Sequence, residues 1–93
     1  MEPEPARDPK NAKLAKRHAE ANDIRWLMGS KQGRRVMARF VEHCGVYRST
    51  FTGNSETFFK EGMRNVGLFL VAEIQRHAPD AYAQMTNESR TTE

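Results

Sequence analysis

The chain has 93 residues, with 15 lysines and arginines, 12 aspartates and glutamates, and one cysteine. A chain of this length forms at most one domain with a thin core, and a single cysteine excludes a scaffold stapled by internal disulfides. The start MEPEPARDPK is unlike a signal peptide, and the longest mostly apolar run, 66–71, is far shorter than the roughly 20 residues that cross a bilayer. We therefore expect a soluble protein of a reducing cytoplasm, with no membrane-spanning segment and a core completed against a partner or symmetry mate.

The charge is unevenly distributed along the chain. Residues 10–39 carry nine basic side chains against two acidic ones, which gives +7, whereas residues 1–9 and 40–93 each carry −2. A basic third between acidic flanks favours an anionic partner, either nucleic acid or an acidic protein surface, although a solvated helix face without a partner has the same composition. Few aromatic residues interleave with the basic run, which argues against a stacking platform for single strands.

Composition divides the chain into four segments. Residues 1–9 are acidic and proline-rich and are predicted to be a disordered tail. Residues 10–22 combine high helix propensity with few apolar anchors, which predicts a basic, polar helix or extension that projects from the domain. Residues 23–85 are predicted to form the helical domain, and residues 86–93 a flexible polar tail.

Start and stop signals divide the domain into helices. DIRWLM is a short amphipathic turn that either continues the preceding helix or restarts at Asp23. Ser30 is the predicted N-cap of a helix that ends at Gly45. Ser55 is the predicted N-cap of the longest helix, 56–77, which stops before Pro79.

No segment has a β-strand period. The predicted fold class is all-α: a small domain of two main antiparallel helices plus one or two short accessory helices. Gly62 and Gly67 lie inside the longest helix and are expected where another helix approaches closely. The predicted core consists of Ile24, Trp26, Leu27, Val36, Phe40, Val41, Cys44, Phe59, Met63, Val66, Leu70 and Ile74.

Residues 30–44 contain the side chains most suggestive of chemistry. His43 and Cys44 are adjacent at a helix C-terminus, where neighbouring side chains diverge and the dipole disfavours a thiolate, so neither a nucleophile nor a zinc site is expected. GSKQGRRV lacks the order of a phosphate-binding loop and the strand that precedes one. It instead predicts a cationic helix start that contacts an anion, a nucleic acid or an acidic partner. The side chains assigned to this contact are Lys31, Arg34, Arg35 and Arg39.

Three stretches of the sequence, DIRWLMGSKQGRR, GVYRSTFTGN and FFKEGMRNVGLFLVAEIQRHAPDAYAQM, resemble the Bbp-nineteen-like family, named after a Bordetella phage gene product. The resemblance covers residue 23 to about residue 85. It implies a non-enzymatic protein of short-tailed phages, encoded among head-assembly genes, and supplies no established site residues. The residue patterns themselves lead us to expect no catalytic residue, metal or cofactor. The family pattern includes Arg48, Ser49 and Phe51, so we expect these residues and the neighbouring Tyr47 to form a partner-facing loop.

These observations lead to three hypotheses for the function. The first is a structural virion protein that docks on a larger assembly (portal, tail or ejection machinery), in multiple symmetric copies, and occupies the host cytoplasm during assembly. The second, motivated by the +7 segment, is a small basic protein that binds phage DNA. The third is an assembly chaperone or scaffold-like factor that is absent from the mature virion.

Overall fold

The computed structural model describes residues 9–91, which form four α-helices: α1 Pro9–Met28, α2 Lys31–His43, α3 Glu56–His77 and α4 Pro79–Thr91. The predicted all-α class is confirmed. α1 runs without a break through Asp23, so the basic segment and the DIRWLM turn are one 20-residue helix rather than a short accessory element. Every residue from 9 to 20 is exposed, so the first half of α1 projects from the domain. The predicted disordered tail, 1–9, lies outside the described residues except for Pro9, which begins α1.

α4 corrects the expectation of a flexible tail after residue 85. Residues 86–91 are its last turns, and 92–93 lie beyond the described residues. The polar side chains that suggested a tail stabilise the helix locally: Arg90 donates to Asn87 Oδ1 at 2.6 Å, and Thr91 Oγ1 donates to the carbonyl of Asn87 at 3.1 Å. Glu88 is also bound by an arginine of α2, described below.

The predicted helix ends are largely confirmed. Ser30 Oγ accepts the N–H of Gly33 at 2.9 Å, as an N-cap should, and Gly45 ends α2 at φ +76°. At α3 the cap lies one residue earlier than expected. Ser55 already has helical dihedrals and no capping side-chain bond, and Asn54 Oδ1 accepts the N–H of Glu56 at 2.9 Å instead.

The core sits where α2, α3 and α4 pack against one another. Cys44 faces Gly67 while Met37 shares a cluster with Ile74, so α2 and α3 run antiparallel. Arg25 at the end of α1 donates to the carbonyl of His77 at the end of α3, at 3.1 Å. Buried apolar residues form two small clusters, and Leu70 and Tyr82 pack against both of them. The first cluster includes Met28 at the end of α1. The clusters are Met28, Met37, Ile74 and Met85, and Val41, Cys44, Val46 and Val71.

The predicted core is right in part. Val41, Cys44 and Ile74 are buried. Ile24, Leu27 and Leu70 are partly buried against the first cluster, and Met63 is half-buried. Five predicted core residues are wrong, with exposed fractions between 52% and 81%: Trp26, Val36, Phe40, Phe59 and Val66.

α3 explains why the prediction failed there. This helix carries apolar residues on two opposite sides, and the helical period alone does not tell which side is buried. The buried side is Gly67, Val71 and Ile74. A Cβ on Gly67 would lie 2.7 Å from Cys44 Cβ, so the missing side chain allows the end of α2 to approach. Gly62 lies on the other side, where a Cβ would have no neighbour from the described residues within 4 Å.

Gly33 fixes the junction between α1 and α2. A Cβ at this position would overlap the backbone carbonyl oxygen of Leu27 and lie 3.0 Å from Ser30 Oγ. Only glycine therefore lets the first turn of α2 begin directly against the last turn of α1. The sequence pattern indicated this glycine only as part of a cationic helix start.

Arg34 is the buried charged side chain of the described region, at 8% exposure. Its Nη1 donates to the carbonyl of Met28 at 3.0 Å. Its Nε and Nη2 donate to the two carboxylate oxygens of Glu88, at 2.8 and 3.2 Å. The guanidinium thus joins the end of α1, the start of α2 and the end of α4. Each of the three guanidinium nitrogens of Arg34 thus donates within the chain, so this side chain serves the fold, and its contact with an external anion stays a prediction.

The Arg34–Glu88 pair also sets the ionisation of both groups. The hydrogen bonds from Arg34 lower the pKa of Glu88, and the charges of Arg34, Lys31 and Arg35 act in the same direction. The hydrogen bond to Glu88 raises the pKa of Arg34. Because the folded-state pKa of Glu88 is lowered, this carboxylate stabilises the fold above its unfolded pKa, and the contribution is lost as pH falls through the folded pKa.

Replacing Gly33 by alanine should destabilise the protein although alanine is the better helix former. The new methyl group must displace the backbone at Leu27, so we expect Gly33→Ala to lower the free energy of unfolding by about 1–3 kcal/mol, measured by urea denaturation. Gln32→Ala, on the exposed side of the same turn, is the matched control and should change it by less than about 0.5 kcal/mol. Equal stability of the two variants would contradict the assigned contact.

The end of α4 should depend on the ionised form of Glu88. At pH 7 we expect helical Cα chemical shifts for residues 86–91, measured by NMR, and a loss of that helical signal as pH falls below the ordinary glutamate pKa of 4.5. Glu88→Gln should show the frayed shifts already at pH 7, with little further change on acidification. A wild-type α4 end that stays helical after the Glu88 carboxylate has been protonated, as followed by its side-chain carboxyl chemical shift, would show that the pair does not hold it.

Candidate docking groove between α2 and α4

The exposed cations of α2 line one wall of a groove against α4. Lys31, Arg35 and Arg39 are exposed, on the side of α2 that faces the end of α4. This half of the groove has a volume of about 460 Å³. Ala38 and Met85 lie in its floor, and the paired Arg34 and Glu88 close it between the helices.

A second concavity of about 690 Å³ continues the groove toward the end of α2. The two share Ala38, Glu42, Met85 and Ser89, so they form one surface along the α2–α4 contact. α2 and α4 are antiparallel here, since Arg34 meets Glu88 at one end and Tyr47 meets Tyr82 at the other. We call this surface the α2–α4 groove.

The charge of the α2–α4 groove is strongly positive. Two carboxylates lie on its walls, Glu42 and Glu88, and Glu88 is already paired with Arg34. Two of the cations are oriented by the fold: Arg48 donates to the carbonyl of Glu42 at 2.9 Å, and Arg90 to Asn87. The exposed cations that line the groove are Lys31, Arg35, Arg39, Arg48 and Arg90.

The predicted partner-facing loop contributes to the groove only in part. The hydroxyl groups of Tyr47 and Tyr82 lie 2.7 Å apart, and partial burial together with this hydrogen bond raises the pKa of Tyr47 to about 12. Tyr47 and Arg48 therefore form the far end of the groove. Ser49 and Phe51 lie outside it. Ser49 Oγ accepts the N–H of Phe51 at 3.4 Å, and the Phe51 ring is 78% exposed.

The histidine–cysteine pair takes no part in this surface. Cys44 is a free, buried thiol packed against Val46 and Gly67, and His43 is exposed. Within residues 9–91 no group of three or more His, Cys, Asp or Glu side chains is placed to hold a metal ion. Over the same residues, no helix has both the length and the apolar character to span a bilayer.

The α4 wall of the groove was not predicted from the sequence. Met85, Glu88, Ser89 and Arg90 come from a segment whose second half was expected to be a loose tail. A signal for this wall is present in the sequence: Tyr82, Met85 and Ser89 recur at helical spacing after the proline that begins α4.

The functional context comes from comparison with protein families. The family model described as Bbp19-like phage protein matches residues 24–87, about two-thirds of the chain, including α2, α3, most of α4 and the last turn of α1. No curated protein and no solved structure matches the chain significantly. The match includes Gly33 and Arg34 and most of the groove. The chain thus belongs to the family of Bbp19-like phage proteins.

Proposed function

We propose that the protein is a non-enzymatic structural protein of a short-tailed phage that docks on a larger virion assembly, at the portal, tail or ejection machinery. It is made in the host cytoplasm and becomes part of the virion. The observation that carries the proposal is the α2–α4 groove, whose exposed cations surround an apolar floor. Membership of a phage family supplies the biological setting.

The composition of the groove favours an acidic protein segment over a nucleic acid backbone. Phosphates engage cations alone, whereas the groove also offers the exposed ring of Tyr47 and the partly buried Ala38 and Tyr82 to a partner. An amphipathic segment with acidic residues beside an apolar stripe satisfies both features at once. Arginines are suited to bidentate contacts with carboxylates, and most of the groove cations are arginines.

Charge reversal in the groove should prevent incorporation into virions. Arg35 and Arg39 are exposed, so Arg35→Glu with Arg39→Glu should leave the helical content unchanged while repelling an acidic partner. We expect the amount of the protein in purified virions, measured by quantitative mass spectrometry after complementation, to fall by more than about tenfold. Lys13→Glu with Arg17→Glu on the projecting half of α1 is the matched control and should be incorporated normally.

Wild-type protein in procapsids but not in mature particles would contradict the docking proposal and identify an assembly chaperone or scaffold-like factor. Equal incorporation of the groove variant and the control would also contradict it. Arg34→Glu is unsuitable for this experiment, because it breaks the internal contacts to Met28 and Glu88.

The projecting half of α1 supports a second candidate function, binding of duplex DNA. Lys13, Lys16 and Arg17 are exposed on the first half of α1, whose buried residues begin only at Ala21. Lys10, Lys13 and Arg17 follow one another at i, i+3 and i+7, which places them on one side of the helix. An exposed basic helix of this kind matches a phosphate backbone better than a groove with an apolar floor does.

The DNA candidate predicts a salt-dependent affinity that resides in α1. Titration of a duplex at 50 and 200 mM salt should give an association constant that falls as salt rises, with a slope of about 0.9 per phosphate neutralised. Lys13→Glu with Arg17→Glu should remove this binding, and Arg35→Glu with Arg39→Glu should retain most of it. No binding at low salt, or binding that salt does not change, would eliminate this candidate.

A further inference from the structure

The outer side of α3 is an aromatic surface that the described chain leaves in solvent. Phe58, Phe59, Val66 and Phe69 are 80%, 69%, 53% and 63% exposed. At 100° per residue these four positions share an arc of about 100°, which begins opposite the buried Gly67, at Phe58, and ends about 80° from it, at Phe59. The side of α3 that carries these four residues has no charged side chain over nearly three turns, because Lys60, Glu61 and Arg64 lie beside or behind it. We call it the α3 outer face.

Gly62 lies in the middle of the α3 outer face. Apart from its chain neighbours and the adjacent backbone of α3, no atom of the described chain comes within 4 Å of where its Cβ would be, whereas a Cβ on Gly33 or Gly67 would overlap neighbouring atoms. Glycine is a poor residue for a helix interior, and the fold of one chain gives no reason for it at this position. A glycine between exposed aromatic side chains permits a second helix to approach the backbone closely.

The remainder of the chain does not supply a cover for the α3 outer face. The segments outside the described region, residues 1–8 and 92–93, are made of charged, polar, proline and alanine residues apart from Met1. The first half of α1 carries Leu14 as its one large apolar side chain. Within this sequence, neither of these segments nor the first half of α1 therefore has an extended apolar side that matches the face.

The area and the arrangement of the α3 outer face fit a second copy of the same helix. With roughly 200 Å² for each phenylalanine, the exposed side chains offer about 500 Å² per copy. A symmetric pair would bury about 1,000 Å², which reaches the lower limit for a specific interface. In an antiparallel pair, Phe58 of each copy lies opposite Phe69 of the other, and Gly62 lies opposite Val66. The face is thus complementary to itself.

We propose that the α3 outer face is the contact surface of a symmetric homodimer, in which two α3 helices cross antiparallel near Gly62. The α2–α4 groove lies on other helices and stays open in each copy, so a dimer presents two grooves to the assembly on which it docks. This inference does not rest on the identity of the docking partner, and either can fail without the other.

Sedimentation velocity of the full-length protein between about 5 and 500 µM tests the proposal. We expect a reversible dimer with a dissociation constant of about 1–100 µM, the range of small interfaces. Phe69→Glu should raise this constant by at least about 100-fold, because two charges become buried at the contact. Phe40→Glu, at a phenylalanine of α2 that is 52% exposed, is the matched control and should leave it within about threefold.

A further variant separates loss of the contact from loss of the fold. Gly62→Gln introduces a better helix former, so the helical circular dichroism of the monomer should be kept, while the side chain should raise the dissociation constant by more than about tenfold. A wild-type protein that stays monomeric up to 500 µM overturns the proposal and leaves the face to a different protein. A dimer that Phe69→Glu and Gly62→Gln do not weaken, or that Phe40→Glu weakens equally, also overturns it.

Discussion

A single buried guanidinium organises this small domain. Arg34 donates hydrogen bonds to the carbonyl of Met28 at the end of α1 and to both carboxylate oxygens of Glu88 near the end of α4. Both apolar clusters are small, and three of the four residues of the first one are methionine, which adapts its shape and specifies geometry weakly. A bidentate ion pair has a defined direction and distance. The relative placement of α1, α2 and α4 therefore depends on this contact and on Gly33, which lets the first two helices meet.

The basic third of the chain contains two kinds of cation. Arg34 is bonded within the fold, whereas the exposed cations can contact a partner. Three residues in the first turn of α2 have different roles. Lys31 is exposed to solvent, Gly33 leaves space for the carbonyl of Leu27, and Arg34 is hydrogen-bonded within the chain. By fixing α4 beside α2, the same arginine creates the groove that the exposed cations line. The fold and the proposed docking surface thus arise from one sequence motif, which the family match includes.

The sequence was a good guide to helix positions and a poor guide to burial. Ser30, Gly45 and Pro79 act through local geometry, so helix ends follow from neighbours along the chain. Burial on α3 depends on which side meets α2, and apolar residues on both sides made the two choices equivalent by periodicity. The partner of Arg34 lies 54 residues away, in a segment with the composition of a tail. Local sequence patterns therefore predict neither the internal ion pair nor the α4 wall of the groove.

A cryo-EM map of the portal vertex of the mature virion, with this chain assigned, tests the central claim most directly. The account predicts that each copy places Lys31, Arg35 and Arg39 against acidic side chains of a neighbouring virion protein, while Arg34 remains bound to Glu88 within the chain. A chain whose α2–α4 groove faces solvent or packaged DNA, or whose Arg34 leaves Glu88 to contact the neighbour, would contradict it.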